Sequence, residues 1–202
     1  MAYNIKLTGK NLIEAEMLIC EVSQILNQLK IPYALEGGTL LGIRRDGHLL
    51  PWDNDVDFSM QRVHLPEIKK LAKVLNQNGF RLRVRYFKTD QEPFFKKGDI
   101  RILKIRKKKW LGLLKGKVAL DVFIKYQLGQ NLYWLVGNGV LKSCPVSFYE
   151  KEETIRFREI DFPAPSPIAD YLTHRYGNWK KPEPIWNTFE NDKSIVRGGK
   201  KD

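Results

Sequence analysis

Three aspartates recur at every second position in Pro51-Trp52-Asp53-Asn54-Asp55-Val56-Asp57-Phe58. Side chains alternate across a β-strand, so residues two apart share a face. A strand over Asn54 to Met60 therefore turns Asp53, Asp55 and Asp57 to one side and Val56 and Phe58 to the core. Two carboxylates ~4 Å apart repel by roughly 4 kcal/mol at an effective dielectric of about 20. Such a cluster asks for a cation. Mg²⁺ suits it, because it takes hard oxygen ligands and leaves positions open for phosphate. A solvated acidic turn would show the same pattern, so the neighbouring residues decide.

Two neighbours favour chemistry. Gly37-Gly38-Thr39 stands between a predicted strand and a predicted helix, where backbone amides can hold a phosphate at the helix N-terminus. Asp121 interrupts the apolar run Val118-Ala119-Leu120-Asp121-Val122-Phe123-Ile124. A carboxylate there is costly unless it is paired or binds metal. Arg44 and Arg45 close the helix after the glycines, and an arginine fork matches phosphate geometry. Arg81, Arg83 and Arg85 alternate with Phe80, Leu82, Val84 and Tyr86, which gives a strand with one basic face. Arg106 to Lys109, with Lys115 and Lys117, form a second basic block, read as a solvated turn. Trp52 is expected to pack in the core. Tyr176 and Trp179 are expected to anchor a helix end, and His48 reads as a loop residue.

The elements that must position these residues follow from periodicity. Leu18, Val22, Ile25 and Leu29 predict a helix over 11–30, stopped by Pro32. A strand Ile31 to Leu35, a short helix Thr39 to Arg45 ended by Asp46-Gly47, and the acidic strand follow. Next come a helix over 65–78 and strands Phe80 to Phe87, Ile100 to Arg106, Val118 to Tyr126 and Leu132 to Val136. Ser166-Pro167 reads as a helix start capped by the serine, and Gly177 as its end. The order gives a mixed α+β fold, with the 202 residues as a single domain.

Composition sets outer limits. With 35 Lys and Arg against 23 Asp and Glu, the chain carries a formal +12 charge and attracts polyanions. Hydrophobic residues make up 43%, which excludes a disordered polymer or a fibre. No run approaches the ~18 apolar residues of a membrane span, and Glu14 and Glu16 break up any signal peptide. These features predict a cytoplasmic protein, with peripheral contact to anionic membranes through its basic surface as a further expectation. Cys20 and Cys144 form no CxxC pair, and His48, His64 and His174 have no ligand spacing. Ordinary free thiols and no zinc site are expected.

A Gly-Gly turn, an alternating-Asp strand and a later Asp together resemble the nucleotidyltransferase superfamily. The longer strings Glu36-Gly37-Gly38-Thr39-Leu40-Leu41-Gly42-Ile43-Arg44 and Leu50-Pro51-Trp52-Asp53-Asn54-Asp55-Val56-Asp57 resemble the LicD/fukutin family. So do Tyr171-Leu172 and Tyr176-Gly177-Asn178-Trp179 followed by Pro182. The resemblance runs from about residue 10 to about residue 185 and is thinnest over 80–117. It implies a nucleotidyltransferase-like mixed sheet flanked by helices, with C-terminal helices. It also implies a transferase that moves a phosphorylated alcohol, such as phosphocholine or ribitol phosphate, from a CDP-alcohol donor to a glycan or glycolipid acceptor, releasing CMP. Asp55, Asp57 and Asp121 would then be the catalytic, metal-binding carboxylates for Mg²⁺ or Mn²⁺. Gly37, Gly38, Thr39, Arg44 and Arg45 would serve the phosphates. Asn54 stands where the family commonly has Asp, on the face away from the metal. No obligate protein partner is inferred. The competing reading is a nucleotidyltransferase that moves NMP from an NTP to a nucleic acid, small molecule or protein.

Overall fold

The computed structural model describes residues 4–109, 114–137, 139–183 and 185–199. Helix α1 (Lys10–Gln28) buries Ala15, Leu18, Ile19, Val22, Ile25 and Leu26 in one stripe, the 3.6-residue pattern of its sequence. Strand β1 is confined to Ala34–Leu35. Helix α2 (Gly37–Asp46) starts two residues earlier than expected. It ends on Gly47 at φ 73°, a left-handed position that a glycine takes without penalty.

Strand β2 covers Val56–Gln61, so Asp53 and Asp55 lie in the loop before it rather than on the strand. The loop is fixed locally. The Asp53 amide donates to the Leu50 carbonyl at 3.1 Å, and the Asp53 carboxylate accepts from the Asn54 amide at 3.0 Å. A 3₁₀ turn over Arg62–Glu67, containing Pro66, delays helix α3 to Ile68–Gln77. Strands β3 (Phe80–Tyr86), β4 (Ile100–Lys109), β5 (Leu114–Lys115) and β6 (Leu120–Leu128) follow, then β7 (Asn131–Val136) and β8 (Val140–Pro145). A hairpin of β9 (Glu153–Phe157) and β10 (Ile160–Ala164) leads to helix α4 (Ile168–Tyr176), and β11 (Ile195–Arg197) comes last.

Strand β6 is the hinge of a mixed sheet. Its first half runs parallel to β2 and antiparallel to β4, and its end pairs antiparallel with β7. The path continues β1-β2-β6-β7-β8-β11, with β3 and β5 attached through β4. This is the α+β architecture that the sequence predicts.

Alternation on β4 assigns the two faces. Leu103 and Ile105 enter the core, and Lys107 reaches Glu21 of α1. Lys104 points the other way, to Asp121. The helix-covered face is thus the apolar one, and the opposite face carries the charges.

The start of α4 departs from expectation. Pro167 holds the cap position and makes no side-chain bond there. The acceptor is instead Glu153 of β9, whose Oε2 takes the Ile168 amide at 2.8 Å, so Ser166 is not the cap. Gly177 closes the helix as predicted, with its amide on the Thr173 carbonyl. Cys20 and Cys144 are free thiols.

Candidate active site

Parallel pairing of β2 with β6 sets Asp57 directly beside Asp121. Antiparallel pairing of β6 with β4 sets Lys104 on the other side of Asp121. One rung of the sheet therefore reads Asp57–Asp121–Lys104, with neighbours separated by ~4.8 Å. Asp121 is 5% exposed, and Lys104 Nζ closes an ion pair on its Oδ2.

The loop before β2 adds Asp53 and Asp55, and the cluster resists charge. Burial raises Asp57 well above the ordinary carboxylate range, and repulsion from Asp55 and Asp53 adds to it. Burial likewise raises Asp55, helped by Asp53 and Asp121. Asp53 is pushed to about 6 by burial, against the pull of the Asn54 amide.

Helix α2 begins against this cluster. A Cβ on Gly37 would lie 2.8 Å from Asp57 Oδ2, and one on Gly38 would lie 2.2 Å from Asp53 Oδ2. Only glycine lets the helix approach so closely. Thr39 ties the two elements together, its hydroxyl accepting the Asp57 amide at 2.9 Å. The first-turn amides of Gly38 and Thr39 have no acceptor within the helix, as at any helix start, and they carry its positive end.

Glu36 caps the helix by accepting the Gly37 amide at 3.1 Å. It is buried with Lys125 at 2.6 Å and in contact with Arg175, and Tyr171 donates to it at 2.7 Å. Burial pushes this carboxyl up, but Lys125 and Arg175 outweigh that and hold it at about 2.

Arg44 and Arg45 are not brought to the carboxylates. They occupy the last turn of α2, whose rise of ~1.5 Å per residue carries them roughly 10 Å along the axis from the glycines. Arg44 is exposed, and the Arg45 fork is filled by Asp46 at 2.8 Å. Trp52 is 59% exposed beside the acidic loop, not packed in the core, because the turn that fixes Asp53 aims it outward. His48 is an exposed loop residue bonded to the Leu49 carbonyl, and Trp179 is buried as an anchor.

Sequence reasoning missed Lys104, Lys125 and Arg175. For Lys125 a signal existed: a lysine between Ile124 and Tyr126 in an apolar strand needs a buried partner, and the structure buries it fully.

The donor set of Asp55, Asp57 and Asp121 fits a hard divalent cation in chemistry, since oxygen ligands that repel one another are relieved by one. As they stand, no three acidic, His or Cys side chains among the described residues are gathered into a finished metal site. Asp121 is already engaged by Lys104. No helix among the described residues is long and apolar enough to cross a membrane.

The chain is 22% identical over 181 residues to an uncharacterised protein of Rickettsia prowazekii, covering 87% of this chain and 59% of that relative's length. The crystal structure of ANT(2")-Ia in complex with adenylyl-2"-tobramycin superposes with a TM-score of 0.44 at 15% identity, over 78% of this chain and 74% of the other. Residues 30–167, which hold the glycine turn, the acidic loop, Lys104 and Asp121, match the nucleotidyltransferase domain of LicD/FKTN/FKRP, and the chain belongs to that family.

Proposed function

We propose that the protein transfers a phosphorylated alcohol, of the phosphocholine or ribitol-phosphate type, from a CDP-linked donor to a hydroxyl of a glycan or glycolipid, releasing CMP. Family membership supports a transferase. The observation that carries the finer reading is the Asp57–Asp121 pair set beside the open first turn of α2. Carboxylates that need a cation and amides that need an anion face the same small space, which suits a diphosphate.

In this reading the donor phosphates lie between the Gly38 and Thr39 amides and the carboxylates. The acceptor oxygen attacks phosphorus of the transferred group. One P–O bond forms, the bond from that phosphorus to the CMP oxygen breaks, and CMP leaves with the electron pair. A cluster carboxylate, Asp121 in the simplest assignment, takes the hydroxyl proton. Lys104 offsets negative charge building on the phosphoryl oxygens. Mg²⁺ or Mn²⁺ held by Asp55, Asp57 and Asp121 would supply further charge neutralisation as a Lewis acid.

The test is a product assay with CDP-choline, CDP-ribitol, CDP-glycerol and the four NTPs in the presence of Mg²⁺. CMP from a CDP-alcohol, with no pyrophosphate from any NTP, is the expected result. Pyrophosphate from an NTP with no CMP would instead support NMP transfer to a nucleic acid, small molecule or protein.

A further inference from the structure

Strand β4 breaks step at one residue beside the charged rung. Across β3 and β4, Arg85 stands opposite Ile102 and the next residue, Tyr86, opposite Ile100. Arg101 is the extra residue, a β-bulge. Strict alternation with Leu103 and Ile105 would turn residue 101 into the apolar core. A bulge re-aims the side chain that it carries. Arg101 is half-buried and turned to the charged face, where the charges of both Arg85 and Asp121 act on it. Ile102 pairs with Phe123, two residues beyond Asp121. Arg101 therefore enters about three residues, ~10 Å, along the strands from the Asp57–Asp121–Lys104 rung. An arginine side chain is long enough to cover most of that gap.

One contact fixes the guanidinium. Its Nη1 donates to the Gly137 carbonyl at 3.3 Å, in the turn between β7 and β8. That turn is backed by the C-terminal segment, since a Cβ on Gly137 would lie 2.4 Å from Phe189 Cε1. The Nε–Nη2 edge has no hydrogen-bond partner among the described residues. That edge is a two-donor fork of the kind that matches phosphate oxygens. Burial and then the charge of Arg85 lower the proton affinity of Arg101, and the charge of Asp121 offsets part of this. No ion pair among the described residues closes on it. A half-buried cation beside a second cation, with no ion pair of its own, is a costly way to tie down a turn.

We propose that Arg101 binds the non-bridging oxygens of the phosphoryl group under transfer, from the side of the centre opposite helix α2. The proposal rests on the transferase reading above. Helix α2 meets the acidic cluster at Asp53 and Asp57. Arg101 and Lys104 belong to β4, on the far side of Asp121. A phosphoryl group at the carboxylates is then met by backbone amides on one side and by the arginine fork on the other. The guanidinium stays charged and moves no proton. It stabilises the negative charge that builds on those oxygens as the bond to the CMP oxygen breaks. Lys104 already engages Asp121, whereas the fork of Arg101 is open to take the phosphate directly.

The binding probe is pyrophosphate with Mg²⁺, titrated by calorimetry into the full chain, Arg101→Ala, Arg101→Lys, and Lys69→Ala on the exposed side of α3 as a control for net charge. Binding should weaken about tenfold in Arg101→Ala, less in Arg101→Lys, and under about twofold in Lys69→Ala. The second readout is CMP release from the best CDP-alcohol. It should fall about a hundredfold or more in Arg101→Ala, and guanidinium chloride at low-millimolar concentration should restore part of it where sodium chloride does not. A structural tie to Gly137 would not respond in that way. Arg101→Lys keeps the charge and the fold within reach if the alanine variant is unstable, and it should still lose about tenfold in release because the fork is gone. Equal pyrophosphate binding by both Arg101 variants overturns the proposal, as does no binding by the full chain. Full CMP release by either variant overturns it too, and so does a loss of release that guanidinium leaves untouched. If no CDP-alcohol yields CMP with the unmutated chain, the transferase reading fails, and the pyrophosphate titration alone decides for or against Arg101.

Discussion

Glu36 at the start of α2 and Arg175 near the end of α4, 139 residues apart, are joined in a buried ion pair. Asp192 holds the same guanidinium from the other side at 2.6 Å and also takes Lys142 at 2.8 Å. Lys125 completes the set against Glu36. The cap of the helix that meets the carboxylates therefore depends on residues beyond the family match, which ends at 167.

Acid stability should report this network. The carboxyl of Glu36 is held at about 2, below its ordinary 4.5, despite burial, because Lys125 and Arg175 favour its charged form. A depressed folded value means that the stabilisation is complete above about 4.5 and is lost as the pH falls toward 2. That depression corresponds to roughly 3 kcal/mol at ~1.36 kcal/mol per pH unit. Glu36→Gln strands the buried Lys125, while Arg175 keeps Asp192, and should cost about 3–5 kcal/mol at pH 7. It should also remove this part of the acid loss. Denaturant titrations between pH 7 and pH 2 measure both. An unchanged pH slope in Glu36→Gln would contradict the assignment.

The glycines of α2 separate approach from folding. Gly38→Ala puts a methyl group where the Asp53 carboxylate stands, so that carboxylate must move. Turnover should fall about tenfold or more while the melting temperature changes little. Gly47→Ala faces open space but must hold φ 73°. It should lose about 1 kcal/mol of stability and keep its turnover per folded molecule. A Gly38→Ala protein with full turnover would show that the close approach does not matter.

Lys104 competes for Asp121. If its ammonium stands where a divalent cation draws the same carboxylate, Lys104→Met should bind Mg²⁺ about tenfold more tightly, since one local positive charge is gone. Turnover should nevertheless fall, because charge on the phosphoryl oxygens loses a partner. Isothermal titration with Mg²⁺ decides the first point. Unchanged or weaker Mg²⁺ binding would remove Lys104 from the site.

Much of this was legible in the residues because alternation and residue type act locally. The strands that carry Asp57, the β3 arginines and Asp121 each show their period within a few residues, and the glycines mark a close approach. What was not legible depends on long-range pairing. The 17-residue separation of Lys104 from Asp121 and the 139-residue separation of Glu36 from Arg175 leave no local pattern. Glu153 displaced Ser166 as the α4 cap because the β9–β10 hairpin brings it there. Trp52 faces water for a reason set by the turn at Asp53, which hydrophobicity alone does not encode.

The central claim is that Asp55, Asp57 and Asp121 run a cation-dependent transfer from a CDP-alcohol. Asp57→Asn keeps the shape and removes one charge beside Asp121. The direct measurement is the initial rate of CMP release from the best CDP-alcohol against Mg²⁺ concentration, for Asp57→Asn and the unmutated protein. The account predicts Mg²⁺-dependent release by the unmutated protein. For the variant it predicts a rate lower by about a hundredfold or more, since each ~1.36 kcal/mol is tenfold in rate. Near-normal release by Asp57→Asn, or release that ignores Mg²⁺ and its chelation, would contradict it.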